Sequence, residues 1–546
     1  AEQSSAEFAH AGSDSIPGPV SRRTVLSYLA ASAGLAGLSA CTALPEREIV
    51  PFVQQPEFLV PGRPRHYATA MQLGDRVDGL LAETHLGRPT KLEGNPSHPA
   101  SLGATSIFAQ AEILTLWDPY RAATVRRGRN TSTWGAFAEE AGRIRESLQR
   151  DSGRGFRLLT GAIRSPSMLA SIGEILRQFP EARWHTFEAA HRELPPAAGT
   201  SFHPHPMQPV YRIVDADVIV SLDADFLHGM AGSLAYAREF ASRRRPSGEQ
   251  SSMNRLYVAE PTPSVTGSCA DHRLAARCDA IPSIAGALYE ELGLSSTTPE
   301  VALDLDAAAR EWVRRAAADL GRNRGRSLVI PGAFQPGLVH QLADRMNRAL
   351  GNEPHAVPWT DLVHEGGSVE SATLRGLIDD MEAGAVHTLL ILDTNPAYSA
   401  PDAMRVTHAM EKVALRLHAG LYETETSRLC HWNLPMAHFL ESWGDLCAYD
   451  GTCSIVQPTI RPLKGQKPAL EILAMLLGSP LTTDGEIVRA YWQREAANGL
   501  LGEGANFEEF WRRSLRDGVI RRGIQGNSEV DARFKNLASG SSAAEG

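Results

Sequence analysis

Cysteine is scarce in this sequence: six occur in 546 residues, at positions 41, 269, 278, 430, 447 and 453. None forms a C-x-x-C pair and no four cluster at iron–sulfur or zinc spacing, so neither centre is present in its usual motif form. They are read as buried or isolated thiols, with Cys447 and Cys453 near enough in sequence to be considered for a bond. Long apolar runs are missing too. After residue 50 no stretch approaches the roughly 20 apolar residues of a membrane-spanning helix. The net charge of −9 argues against a nucleic-acid footprint, which needs concentrated positive charge. Neither G-x-G-x-x-G nor G-x-x-x-x-G-K-[ST] occurs, so a simple dinucleotide fold and a P-loop enzyme both lack support.

What is present has an ordinary globular composition, 43% hydrophobic and 21% charged, in a chain too long for one core. Two to four structural units are expected. The first forty residues read as an address. Arg22 and Arg23 precede a mild apolar run, Val25 to Ala40, as in a twin-arginine export signal. An amphipathic helix with two incidental arginines is the plainer reading. The run ends Leu38-Ser39-Ala40-Cys41, as in a lipobox, where the Cys41 thiol takes a diacylglycerol; a cysteine that merely follows a signal is the alternative. The localisation expected is the periplasmic face of a bacterial inner membrane. Five prolines between Pro45 and Pro64 predict an extended arm over 41–64.

From about residue 155, short apolar runs alternate with helical patterns, the signature of βαβ units and a parallel sheet. Strands are predicted at Phe156–Thr160, Asp217–Leu222, Leu256–Ala259, Leu328–Ile330, Thr388–Leu392 and Val413–Leu417, with helices at Met168–Phe179 and Gly337–Leu350. Such sheets bind ligands beyond the carboxyl ends of their strands. The segments to inspect are therefore Asp223-Ala224-Asp225, Glu260-Pro261-Thr262, Gly332-Ala333-Phe334-Gln335 and Asp393-Thr394-Asn395-Pro396. Their short polar side chains suit a nucleotide-like ligand, or they are simply turn and cap residues.

Several segments in order carry a resemblance. They are HLGRPTKLEGNPSHP from His85 to Pro99, LWDPYR from Leu116, TWGAF from Thr133, VIVSLDADFL from Val218, and LPMAHFLESWGDLCAYDGT from Leu434 to Thr452. Together they resemble the molybdopterin oxidoreductase (DMSO reductase) superfamily, in the branch found in the large subunit of alternative complex III. The resemblance implies an α/β fold with two Rossmann-like parallel-sheet domains whose strands interleave, a small N-terminal mixed domain and an extended arm. Two departures bear on function. Residues 65–85 contain no cysteine for the N-terminal [4Fe–4S] cluster of catalytic members. The stretch from about Phe187 to Met207, where such members hold the metal, has no cysteine and offers Ser201, His203 and His205, and the prolines beside both histidines favour a surface loop.

The chain ends at Gly546, before the regions where the family places its iron–sulfur domain and its final β-barrel, so these are expected elsewhere. Domains are expected at 1–40 (signal), 41–64 (arm), 65–150, 151–315, 316–480 and 481–546, the last largely helical from Asp484 to Val519. The resemblance implies a scaffold with no catalytic, metal or cofactor residue of its own, in a quinol-oxidising respiratory complex. Iron–sulfur clusters and haem c would lie in an iron–sulfur subunit and multi-haem cytochrome c subunits, beside quinol-binding integral membrane subunits. The alternative is a catalytic subunit binding a bis-guanine-dinucleotide molybdopterin (Mo-bisPGD), with Asp225, Asn395, Glu441 and Gly451 as contacts.

Overall fold

The computed structural model describes residues 60–189, 207–245, 253–294, 305–361, 372–501 and 506–521. Arg22, Arg23 and Cys41, nearly all of the arm, and Ser201, His203 and His205 lie outside the described residues. Along the chain the strands are β1 (Arg65–Leu73), β2 (Arg76–His85), β3 (Arg88–Gly94), β4 (Arg126–Arg127), β5 (Asn130–Thr131), β6 (Phe156–Thr160), β7 (Arg183–Thr186), β8 (Met207–Pro209), β9 (Val218–Leu222) and β10 (Arg255–Glu260). There follow β11 (His272–Ala275), β12 (Ser327–Pro331), β13 (Trp359–Asp361), β14 (Ala372–Thr373), β15 (Thr388–Leu392), β16 (Leu415–Gly420), β17 (Trp432–Pro435), β18 (Gly444–Cys447), β19 (Thr452–Val456) and β20 (Ile520–Arg521).

The N-terminal motif builds an antiparallel meander, β1-β2-β3. Leu86 and Gly87 form the two-residue turn between β2 and β3, both at positive φ (52° and 79°), as the twist of a tight hairpin demands. The rest of the motif packs the meander. The buried His98 ring lies on Gly79, where any Cβ would fall within 2.2–2.8 Å of ring carbons and the His98 Cβ. Gly94 admits the carbonyls of Gly103 and Ala104 at 2.4 Å from where its Cβ would stand.

Two sheets form the body. One has the order β11-β10-β9-β12 and is parallel throughout; the other runs β14-β7-β6-β15-β16-β17-β4-β5, parallel as far as β17. Their central strands are buried on both faces, which is why they read as unbroken apolar runs rather than alternating ones. In the four-stranded sheet, Val218, Val220 and Leu222 join the core under helices Ile281–Glu291, Ala307–Arg322 and Gly337–Ala349, while Ile219, Leu328 and Ile330 face the opposite core. The strands interleave across residue 316. β12 follows it yet pairs with β9, and β6 precedes the entire four-stranded sheet yet pairs with β15.

The free edge of β12 is closed by side chains. Asn347 accepts from the Val329 N–H (3.0 Å) and donates to its carbonyl (2.8 Å), as a neighbouring strand would. Asn352 accepts from the Ser327 hydroxyl (3.2 Å), and Pro331 has no N–H to offer. No described helix is long and apolar enough to cross a membrane.

Beyond residue 480 the described helices are Asp484–Glu495 and Phe507–Asp517, whose Tyr491, Trp492 and Trp511 are buried in a core shared with β18 and β19. The short β20 pairs with β19 just beyond them. The expectation of isolated thiols needs correction here. Cys447 and Cys453 stand directly opposite in the β18–β19 register, Cα atoms 4.0 Å apart, and are joined by a disulfide. Cys430 is a buried thiol, pushed up to about 12 by burial, and Cys269 and Cys278 are exposed.

Candidate ligand crevice

The crest of the four-stranded sheet is set by the turn that leaves β9. Asp223 takes a positive φ of 60°, a conformation that costs a non-glycine residue energy and is held by its surroundings. The Ser221 hydroxyl braces the turn, bonded to the N–H and carbonyl of Ala224. Gly332, after β12, lets the turn through: a Cβ there would lie 2.0 Å from the Asp223 carbonyl oxygen. Asp225 Oδ1 accepts from the Thr266 N–H (2.9 Å) and hydroxyl (2.7 Å), and the same hydroxyl accepts from the Leu227 N–H (3.0 Å). Thr266 lies in the short helix Val265–Ser268, capped by Ser264. The buried Glu260 carboxylate takes the Ser264 hydroxyl and the Arg273 guanidinium, both at 2.6 Å. Gln335 donates to Asp223 (2.7 Å), whose carboxyl is nonetheless lifted by burial and the nearby Glu260.

The eight-stranded sheet repeats this arrangement. Leaving β15, Asp393 has φ 49°. Asn395 Oδ1 accepts from the Thr426 N–H (3.1 Å) and hydroxyl (2.7 Å), and that hydroxyl accepts from the Ala397 N–H (3.1 Å). Thr426 lies in helix Glu425–Arg428, capped by Thr424. The registers agree as well. Ala259 sits between Leu222 and Leu274, and Ala419 between Leu392 and Leu434. β6 and β12 both run into Gly-Ala, at 161–162 and 332–333. The two halves are therefore copies of one unit. In chain order the copies are permuted, since β6 comes first in its half and β12 last.

The copies differ where Glu260 has Gly420 as its counterpart. In the first, a Cβ on Gly267 would fall 1.8 Å from the Glu260 carboxylate. In the second, the corresponding space is a cavity of about 10 Å³ lined by His418, Gly420, Ser427 and Asn433 among others, room for about one water. Burial holds His418 down to about 4, against a hydrogen bond with the Thr394 backbone, so it is neutral at physiological pH.

Two other expected contacts lie away from these clasps. Glu441 is buried and takes both Arg121 Nη atoms (3.2 and 2.5 Å), with the His438 and Leu463 N–H groups at 2.9 and 3.0 Å. Burial pushes its carboxyl up, but the bonds from Arg121 and the two N–H groups outweigh that and hold it below the usual range. Gly451 turns the β18–β19 hairpin at φ 81°, against Thr360. The structure thus brings Asp225 and Asn395 to equivalent places and gives Glu441 and Gly451 separate surroundings.

Sequence reasoning missed Thr266 and Thr426, which complete each clasp. Their signal was a repeat: sixteen-residue units with Ser/Thr-x-Thr, Ala259–Leu274 and Ala419–Leu434, that align without a gap. Among the described residues no group of three or more His, Cys, Asp or Glu could hold a metal ion.

No family model matches the chain. Over 436 residues it is 25% identical to the menaquinone reductase, molybdopterin-binding-like subunit of Nitratidesulfovibrio vulgaris, an alignment covering 72% of this chain and 62% of that protein. Among solved structures, acetylene hydratase from Pelobacter acetylenicus matches with a TM-score of 0.60 at 14% identity, over 82% of this chain and 73% of the other. At that identity the likeness concerns the fold.

Proposed function

Because this chain is a molybdopterin-oxidoreductase-like protein, we propose that it is a subunit of a membrane-bound respiratory quinone oxidoreductase, acting as a scaffold without a molybdopterin of its own. The name of its relative, a menaquinone reductase subunit called molybdopterin-binding-like, supports the quinone part. The observation that carries the scaffold part is the pair of clasps. Asp225 and Asn395, the side chains expected to face a dinucleotide, are bonded through Oδ1 to Thr266 and Thr426. Opening each clasp would leave a threonine hydroxyl and a backbone N–H to find new partners, at about 1–3 kcal/mol per unsatisfied group. The fold implies a molybdopterin and its metal; in this reading Asp225 and Asn395, held in their clasps, do not fit that group. No reaction step is assigned to it here.

The finer reading follows the resemblance. The complex is alternative complex III-like, with iron–sulfur and multi-haem cytochrome c partners carrying the electrons and integral membrane subunits binding the quinone. The chain is exported through Arg22 and Arg23, with Cys41 a lipid-anchor candidate. The test is metal and pterin analysis of the protein purified with its partners from native membranes. Substoichiometric molybdenum, tungsten and pterin, with haem- and iron–sulfur-containing subunits co-purifying, is the expected result. Stoichiometric metal with pterin would overturn the scaffold reading and make Asp225 and Asn395 cofactor contacts. A solitary protein would overturn the subunit reading.

A further inference from the structure

The segment between β19 and helix Ala469–Leu477 is neither strand nor helix, yet it is firmly held. Leu463 donates its N–H to Glu441 (3.0 Å), Trp134 donates its indole N–H to the Gly465 carbonyl (2.9 Å), and Gln466 donates to the Ala122 carbonyl (3.2 Å). Ile460 packs against the buried cluster of Leu80, Leu92, Leu116 and Leu440, as Ile113 and Trp117 do. So anchored, the loop presents Arg461, Leu463 and Lys464 to solvent, Leu463 43% exposed. Its anchor points at residues 122 and 134 flank the β4–β5 hairpin, whose exposed end carries Arg127 and Arg129.

Among the described residues, Arg127, Arg129, Arg461 and Lys464 have no carboxylate partner; Arg127 lies over the Trp432 ring. The nearby acids are already taken, Glu423 by Arg126 (3.0 Å) and Glu471 by Lys467. A chain of net charge −9 thus carries four exposed cations without a carboxylate partner on two segments that these bonds tie together, with Leu463 between two of them in sequence. The helix bearing Leu114, 70% exposed, packs through Ile113 against the same buried cluster as Ile460.

We propose that this surface seats the chain on anionic phospholipid headgroups. An acidic protein face would answer the cations alone; a headgroup layer answers the cations and receives Leu463 in its apolar boundary. The proposal rests on the membrane-complex reading above and adds which face meets the lipid. Each cation near an anionic surface strengthens binding about fivefold, so losing three weakens it about a hundredfold.

The test is sedimentation of the full chain with phosphatidylcholine vesicles and with vesicles of equal parts phosphatidylcholine and phosphatidylglycerol. The wild type should prefer the anionic vesicles, and salt should erase the preference. Arg129→Gln/Arg461→Gln/Lys464→Gln should lose about a hundredfold in affinity for them, and Leu463→Ser should weaken binding to them as well. Arg314→Gln/Arg315→Gln, at cations already paired with Glu311, should bind as wild type. The N-terminal apolar run is common to all variants, so the differences isolate the patch. Equal binding to both vesicle types, or wild-type binding by the triple variant, would overturn the proposal. So would a triple variant that keeps vesicle binding but leaves the native complex, which would make an acidic protein the occupant. Copurification and metal analysis judge the respiratory reading separately, so either can fail alone.

Discussion

Glu441→Ala is expected to destabilise the fold by about 3–5 kcal/mol, the cost of stripping one partner from a buried ion pair. The structure gives the reason. Arg121 and Glu441 side chains are 2% and 0% exposed, so the variant strands a guanidinium out of water. Two backbone N–H groups, of His438 and Leu463, lose their acceptor as well. Summing separate bonds to a charge at about 1.5–3 kcal/mol each would exceed the range, but these contacts share one carboxylate and do not add. Urea unfolding followed by tryptophan fluorescence should show the loss as a midpoint shift at unchanged slope. Arg121→Met/Glu441→Met should recover most of it, because both desolvation costs leave together. Because this carboxyl titrates below its unfolded value, its stabilisation is complete above the ordinary carboxylate pKa and is lost as pH falls through the depressed one. The variant's acid limb should therefore be shallower. A single variant within about 1 kcal/mol of wild type, or a double variant no better than the single, would refute the reasoning.

Asp344 is buried, one of its oxygens lacks a partner, and burial lifts its carboxyl to about 8. Folding then takes up a proton, so stability should fall by up to about 1.4 kcal/mol per pH unit between the unfolded carboxylate pKa and about 8; Asp344→Asn should flatten that slope in unfolding measured across pH. Gly332→Ala should cost more than about 2 kcal/mol through its clash with the Asp223 carbonyl. Gly142→Ala, in the helix Trp134–Arg150 with open space about it, should instead stabilise by about 0.5–1 kcal/mol, both read by thermal melting. Cys447→Ser/Cys453→Ser should lose about 2 kcal/mol, the loop-closure value for so short a ring, and reducing agent should then have no further effect on the urea midpoint.

The fold was legible where a segment's fate depends on its own residues. The runs Phe156–Thr160 and Thr388–Leu392 announce themselves as strands because both their faces are buried. Val413–Leu417 was placed early, since the strand proper, Leu415–Gly420, continues into the glycine that the pattern treated as a stop. What stayed hidden depends on distant partners. Nothing in Asp225 says that its acceptor will be spent on Thr266, forty-one residues away, and Cys447 declares its bond only once the β18–β19 register is known. Glu441 was named only as a contact of the catalytic alternative that the resemblance allows; its partner, Arg121, lies 320 residues earlier in the chain.

The permuted arrangement of the two halves bears on how the protein is made. The four-stranded sheet is contiguous in the chain, β9 to β12, and can close as soon as residue 331 has left the ribosome. β6 and β7 emerge before it, but β6 has no central neighbour until β15 is synthesised. For that interval it is an apolar segment with an open edge, in competition with every other unpaired strand in the cell. A nascent chain of this design needs shelter for its first-made half, and a protein exported only after folding would have to meet that need in the cytoplasm.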